Sequence, residues 1–168
     1  WNIKLAQLAG LIVGKRLELI ADINTQLADI YSEIAQKQTD CTLEYVSPLN
    51  TANYETSMMK KLELDIEKDI ARGFTGAGPH REDFAVHIRG QQAEVTASRG
   101  ETRTLVLALK LLELQFLERV RGAKPLLLLD DVFSELDGSR RKSLTKYVEN
   151  YQTILTTTDA DVVVKDFT

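Results

Sequence analysis

The chain has 168 residues, 43% hydrophobic and 27% charged, which is enough apolar material for a packed core under an ordinary surface. A formal charge of −4 leaves no overall basic footprint for nucleic acid, so any such surface must be local. One cysteine excludes a disulfide framework and suits a reducing compartment; with only His80 and His87 beside it, a structural zinc site is excluded too.

The opening "WNIKLAQLAGLIVGK" reads as mid-helix from its first residue, Trp1, so the segment is expected to belong to a longer polypeptide. Leu5, Leu8, Ile12, Leu19, Ile23, Leu27, Ile30 and Ile34 fall at helical steps and predict one long helix over 3–36 with a single apolar stripe. That stripe packs on its own domain or serves as an arm contact. "CTLEYVS" alternates like a short strand ended by Pro48, and residues 54–73 form a second amphipathic helix capped by Gly73. "GFTGAGPHRED", dense in glycine, is a loop and a candidate boundary. "FAVHIRGQQAEV" predicts a hairpin turning near Gly90, with Phe84, Val86 and Ile88 on one face. The helix over 102–121 is apolar around most of its circumference and is expected to be largely buried. A buried apolar strand over 125–129, a polar helix over about 139–150 and a strand in "QTILTTTD" complete an α/β layer. No run is long enough to span a bilayer, the longest being "PLLLL".

Two stretches carry chemistry. In "LLLLDD" an apolar strand ends in two carboxylates, and the C-terminal edge of an α/β sheet is where such folds place ligands. Asp130 suits Mg²⁺, a hard cation that takes oxygen ligands, and Asp131 suits a role in orienting or deprotonating a water that attacks a phosphate. The plain alternative is a strand ending in a polar turn. In "ASRGETRTLVLALKLLE", Ser98 can cap a helix, and Gly100 leaves room for backbone N–H groups to approach an anion at the positive end of the helix dipole. A capping box, S-x-x-E, explains Ser98 and Glu101 equally well. "GLIVGK" is not a phosphate-binding loop: it is one residue short between its glycines, and Arg16 stands where a hydroxyl is needed.

Taken in order, "GPHRED" (78–83), "SRGETRTLVLALKL" (98–111), "LLLLDDVFSELD" (126–137) and "TTTD" (156–159) resemble the RecF family of DNA replication and repair proteins. The wider resemblance is to ABC-type ATPase heads: signature motif, Walker B, D-loop and switch region. It implies an α/β fold, the C-terminal part of such a head (P-loop NTPase-like), preceded by an N-terminal helical arm segment. Residues 1–72 would be the helical arm or second lobe with a short strand, and residues 73–168 the ATPase core half.

What the resemblance implies for single residues is as follows. Ser98, Arg99, Gly100 and Glu101 would meet the γ-phosphate of a nucleotide bound to the opposite subunit. Asp130 would serve Mg²⁺ and Asp131 would be the catalytic acid. Ser134, Glu135, Leu136 and Asp137 would form the D-loop at a dimer interface, and Thr157, Thr158 and Asp159 the switch region. Arg81 would touch phosphate or DNA, or else pair with Glu82 or Asp83 and fix its loop. Arg140 and Arg141 read as solvated surface or as DNA-backbone contacts, and His80 as structural.

Several features depart from the broad pattern. Asp131 stands where a glutamate is usual, "SRGE" replaces S-G-G-Q, "TTTD" lacks the switch histidine, and Thr102 replaces a glutamine common in the RecF family. No P-loop is present in the sequence, so ATP and Mg²⁺ would need the missing N-terminal lobe, and the chain alone is expected to be inactive as an ATPase. The function implied is cytoplasmic: an ATP-dependent homodimer that binds gapped, single-stranded or duplex DNA in recombinational repair and helps load recombinase with RecO and RecR. The alternatives are an SMC-like head with a coiled-coil arm, which the short helices disfavour, and a non-catalytic dimerisation module.

Overall fold

A computed structural model describes residues 1–132 and 136–158. The chain divides into two compact units, residues 1–25 with 42–87 and residues 26–41 with 88–168. The sequence therefore leaves the first unit and returns to it.

In the first unit, α1 (Asn2–Asn24) packs along α3 (Tyr54–Leu64), and α4 (Ile66–Arg72) follows. One long helix over 3–36 is not what forms. Asn24 and Thr25 break it, both being residues whose side chains compete for backbone hydrogen bonds. Thr25 Oγ1 donates to the Asp22 carbonyl (2.6 Å), and the Asn24 amide pairs with both the N–H and the carbonyl of Leu43, at 2.7 and 2.8 Å. The buried face of α1 also differs from the large apolar stripe: Ala6, Ala9 and Val13 are buried, while Leu5, Leu8 and Ile12 are exposed. Small side chains win because the α1–α3 approach is close. A Cβ at Gly10 would lie 2.5 Å from Glu55 Cγ. Tyr54, Met58, Leu62 and Ala77 complete this core.

The helix expected over 54–73 is likewise interrupted, at Asp65, whose carboxylate pairs with Lys61 at 2.6 Å. Gly73 closes α4 in the left-handed conformation (φ 77°), as a C-terminal cap requires. The strands β1 (Cys41–Val46) and β2 (Asp83–Ile88) are neighbours in a sheet. β2 turns at Arg89 and Gly90, both at positive φ, into a β3 (Gln91–Gln92) of two residues. The expected second hairpin strand stops there and gives way to α5 (Ala93–Thr96). On β2 only Ile88 is buried; Phe84 is exposed.

The second unit is built on α2 (Leu27–Ala35), against which α6 (Arg99–Arg121) and α7 (Gly138–Val148) both pack. Leu27, Ile30, Tyr31 and Ile34 are buried on α2, as are Leu105, Ala108, Leu111 and Leu112 on α6 and Leu144 and Val148 on α7. Each such fully buried aliphatic side chain contributes roughly 1.5–3 kcal/mol. α6 is buried along one face only; Val106 and Val120 are exposed, so its wide apolar surface exceeds what this unit covers.

β4 (Leu127–Asp130) pairs in parallel with β5 (Thr153–Thr156), and α7 makes the crossover between them. The apolar run is not a buried strand here: Leu126, Leu128 and Ile154 are exposed at 51%, 67% and 55%. Only the face carrying Leu127 and Leu129 is partly covered. Among the described residues, no helix is long and apolar enough to cross a membrane.

Candidate functional site

The parallel register pairs Asp130 with Thr156 at the C-terminal ends of β4 and β5. The Thr156 hydroxyl donates a short hydrogen bond to Asp130 Oδ1. The Asp131 N–H reaches both the carbonyl and the hydroxyl oxygen of Thr156, each at 3.1 Å. Thr158 donates its N–H and its hydroxyl to Asp131 Oδ1, both at 3.3 Å. Two remote stretches, "LDD" and "TTT", thus close on each other. Thr157 lies between the two contacts and is half-buried, while Asp159, Ser134 and Glu135 lie outside the described residues.

Asp131 has a φ of 51°, in the left-handed region. Aspartate and asparagine tolerate that region far better than most residues, because a short polar side chain can hydrogen-bond locally. This gives a backbone reason for aspartate at this position. Asp130 is exposed, with oxygen-only donors around it. That set fits Mg²⁺, which is typically held by one or two carboxylates and completed by water and phosphate oxygens. Among the described residues no group of three or more His, Cys, Asp or Glu side chains converges, so a dedicated protein cage is not on offer.

The second cluster surrounds the start of α6. Ser98 and Glu101 form a complete capping box: Ser98 Oγ accepts from the Glu101 N–H at 3.3 Å, and Glu101 Oε2 accepts from the Ser98 N–H at 2.9 Å. Arg89 adds an ion pair to Glu101 Oε1 at 2.7 Å. The Ser98 backbone donor first, then Arg89, hold the Glu101 carboxyl down at about 2. Glu101 is therefore committed to the helix terminus. Ser98 is exposed, as is Arg99. The phenol of the buried Tyr31 is raised by burial and then by Glu101, with Arg89 and Arg140 opposing.

Residues 136–141 meet this cluster. Leu136 is buried, and Asp137 caps α7 by accepting from the Arg140 N–H at 3.0 Å. Arg140 Nη1 returns to Asp137 Oδ2 at 2.6 Å, and Arg141 Nε donates to the Leu136 carbonyl at 2.7 Å. The Arg140 guanidinium also lies 3.5 Å from where a Cβ on Gly100 would be. Neither arginine is plain solvated surface. Sequence reading had no signal for the contact with Gly100, though the D-x-x-R spacing of Asp137 and Arg140 was visible.

The "GPHRED" loop belongs to the first unit. Glu82 accepts from the hydroxyls of Ser47 and Tyr54, each at 2.7 Å, and more closely from Tyr45. Arg16 donates to the Pro79 carbonyl at 2.6 Å and to Tyr45 Oη at 3.2 Å, so "GLIVGK" is part of α1 and the arginine after it binds this loop. Arg81 is exposed over the Phe74 ring, 5.2 Å from its centroid, and His80 contacts the Thr75 carbonyl at 3.3 Å. Sequence reasoning offered Glu82 as a partner for Arg81 and missed its three hydroxyl partners, which are 28 to 37 positions away.

No family model matches the chain. Three relatives named DNA replication and repair protein RecF do. That of Clostridium beijerinckii is 37% identical over 158 residues, covering 93% of this chain and 43% of the relative. That of Clostridium perfringens is 36% identical over 159 residues, covering 94% and 44%. That of Lactobacillus delbrueckii subsp. bulgaricus is 34% identical over 168 residues, covering 95% and 44%. The chain is RecF-like. Two solved structures agree. One is the recombination mediator protein RecF-ATP in the RecFOR pathway, at TM-score 0.77 and 32% identity over 95% of this chain. The other is RecF-ATPrS in the same pathway, at TM-score 0.78 and 33% identity. The RecF-like chain spans about 44% of those two chains, and less than half the length of the curated relatives it matches. Its fold is that of part of an ABC-type ATPase head.

Proposed function

We propose that this chain supplies part of the nucleotide site of an ATP-dependent DNA-binding protein of recombinational repair, cytoplasmic and acting with RecO and RecR. The observation that carries the reading is the closure of Asp130 and Asp131 on Thr156 and Thr158 at the ends of two parallel strands, in a chain similar to a RecF solved with ATP. Asp130 would hold Mg²⁺ beside the Thr156 hydroxyl. When bound, the ion would neutralise phosphate charge. Asp131 would orient a water and accept its proton, its carboxylate held by Thr158, and Thr157, Thr158 and Asp159 would form the switch region near the γ-phosphate. Ser98, Arg99 and Gly100 would face the nucleotide of a second subunit, Glu101 holding the turn, and Ser134 to Asp137 would line the homodimer interface.

In this reading the exposed face of Leu126, Leu128 and Ile154 is covered by portions of the relatives' length that this chain does not span. The chain contains no G-x-x-x-x-G-K-[ST] run, so ATP binding would depend on that other portion. DNA, whether gapped, single-stranded or duplex, would be the macromolecular ligand, with Arg81 an exposed candidate contact.

The test uses the full-length protein, with ATP turnover measured with and without gapped DNA. Asp131→Asn is expected to abolish turnover while retaining ATP binding, and Ser98→Arg to block nucleotide-dependent dimerisation. Unchanged turnover in Asp131→Asn removes the catalytic role.

A further inference from the structure

The start of α7 touches the start of α6, and one side chain makes the link. Arg140 Nη1 donates to Asp137 Oδ2 at 2.6 Å, and the Nη edge of its guanidinium sits 3.5 and 3.6 Å from where a Cβ on Gly100 would be. Its Nε is buried with no hydrogen-bond partner among the described residues, although a surface arginine would keep that donor in water.

Each end of the link is itself fixed. The Gly100 carbonyl accepts from Thr104 Oγ1 at 2.9 Å, and Thr104 is fully buried. On the other side, Asp137 caps α7 and Arg141 ties the Leu136 carbonyl at 2.7 Å. Farther along, α7 is anchored to the end of α2 through Ser143, which donates to the Glu33 carbonyl at 3.2 Å and accepts from Gln36.

We infer that Arg140 is a positioning residue that makes residues 136–137 and the first turn of α6 move as one element. This rests on the proposed function for its consequence: two strips expected to face a second subunit, the serine–glycine turn and the end of the acidic loop, are presented together. Arginine is needed because its two Nη groups reach the Gly100 backbone and a carboxylate at once, which a lysine point charge does not do. Gly100 has a role here apart from any bound anion, since a side chain larger than methyl would displace the guanidinium.

The experiment is amide hydrogen exchange on the full-length protein without nucleotide, followed by Mg-ATP-dependent dimerisation in analytical ultracentrifugation. The variants are Arg140→Met, Arg140→Lys and Asp137→Asn. Asparagine caps a helix about as well as aspartate, so Asp137→Asn removes the ion pair and spares the cap. In Arg140→Met, exchange at residues 101–104 and 137–141 is expected to rise together about tenfold, with residues 105–121 unchanged and dimer affinity down about tenfold. Arg140→Lys restores neither. Faster exchange confined to 137–141 overturns the coupling, and coupled exchange with wild-type dimerisation overturns the positioning role. A wild-type protein that neither turns over ATP nor dimerises counts against the proposed function instead, and the exchange pattern still decides the coupling.

Discussion

Glu82 offers the sharpest test of what the "GPHRED" loop does. Its carboxylate accepts three hydroxyls: Ser47 and Tyr54 share Oε1 at 2.7 Å each, and Tyr45 takes Oε2. Glu82→Gln keeps an acceptor for two of these and turns the third position into a donor, facing a tyrosine that already receives Arg16 at 3.2 Å. A hydrogen bond to a charged group is worth about 1.5–3 kcal/mol, so the glutamine variant should lose about that much. Glu82→Ala strands all three hydroxyls in a half-buried setting and should lose about 3–5 kcal/mol. Urea unfolding followed by far-UV circular dichroism reads the loss; Trp1, the single tryptophan, is fully exposed and reports little. A double-mutant cycle with Tyr54→Phe should show a coupling of about 1 kcal/mol. Burial, then Glu82, raise the phenols of Tyr45 and Tyr54 above their ordinary value. Their neutral forms therefore stabilise the fold below about pH 10, and that contribution is lost as pH rises through the raised values. A Glu82→Ala protein within about 0.5 kcal/mol of wild type would mean that water serves these hydroxyls equally well, and that the loop is not anchored through this acid.

Three further outcomes are expected. Because Asp131 has a φ of 51°, Asp131→Asn should melt within about 0.5 kcal/mol of wild type, while Asp131→Val should cost about 1–2 kcal/mol in thermal unfolding. Glu101, depressed to about 2 by the Ser98 N–H and then by Arg89, stabilises the fold above the ordinary glutamate range. That contribution, at most about 3 kcal/mol, fades as pH falls from about 4.5 toward 2, and Arg89→Met should narrow the window in acid titrations of stability. Gly78 has a φ of 134°, and a Cβ there would sit 3.1 Å from His80 Nδ1, so Gly78→Ala should cost more than about 1 kcal/mol in urea unfolding.

Helices and caps were legible where the signal is local. Ser98 with Glu101, Gly73 and the strand–helix–strand order of β4, α7 and β5 all follow from neighbours within a few positions. What failed is non-local. Periodicity selected Leu5, Leu8 and Ile12 because they are large, yet the α1–α3 contact selects Ala6, Ala9 and Val13 because they are small. No pattern in α1 alone distinguishes those two faces, since the choice depends on how near α3 comes. The helix breaks at Thr25 and Asp65 were hidden by apolar periodicity that continues across both. Glu82 looked like one charge among several in a loop; only the fold brings three hydroxyls to it.

The adjacency of Asp130 and Asp131 has a geometric consequence. Neighbours on a strand point to opposite faces, so two consecutive acids on a regular β4 would diverge. Asp130 follows that alternation and shares the exposed face with Leu128. Asp131 escapes it: pairing ends at Asp130, and the left-handed backbone at Asp131 redirects the chain. The same turn aims the Asp131 N–H at Thr156 and brings its carboxylate under Thr158. The two acids then meet one threonine segment from two directions, which neither a longer strand nor a β-branched residue at 131 would allow. The turn therefore selects the residue type, and the chemistry proposed for Asp131 must operate from the position that this backbone imposes.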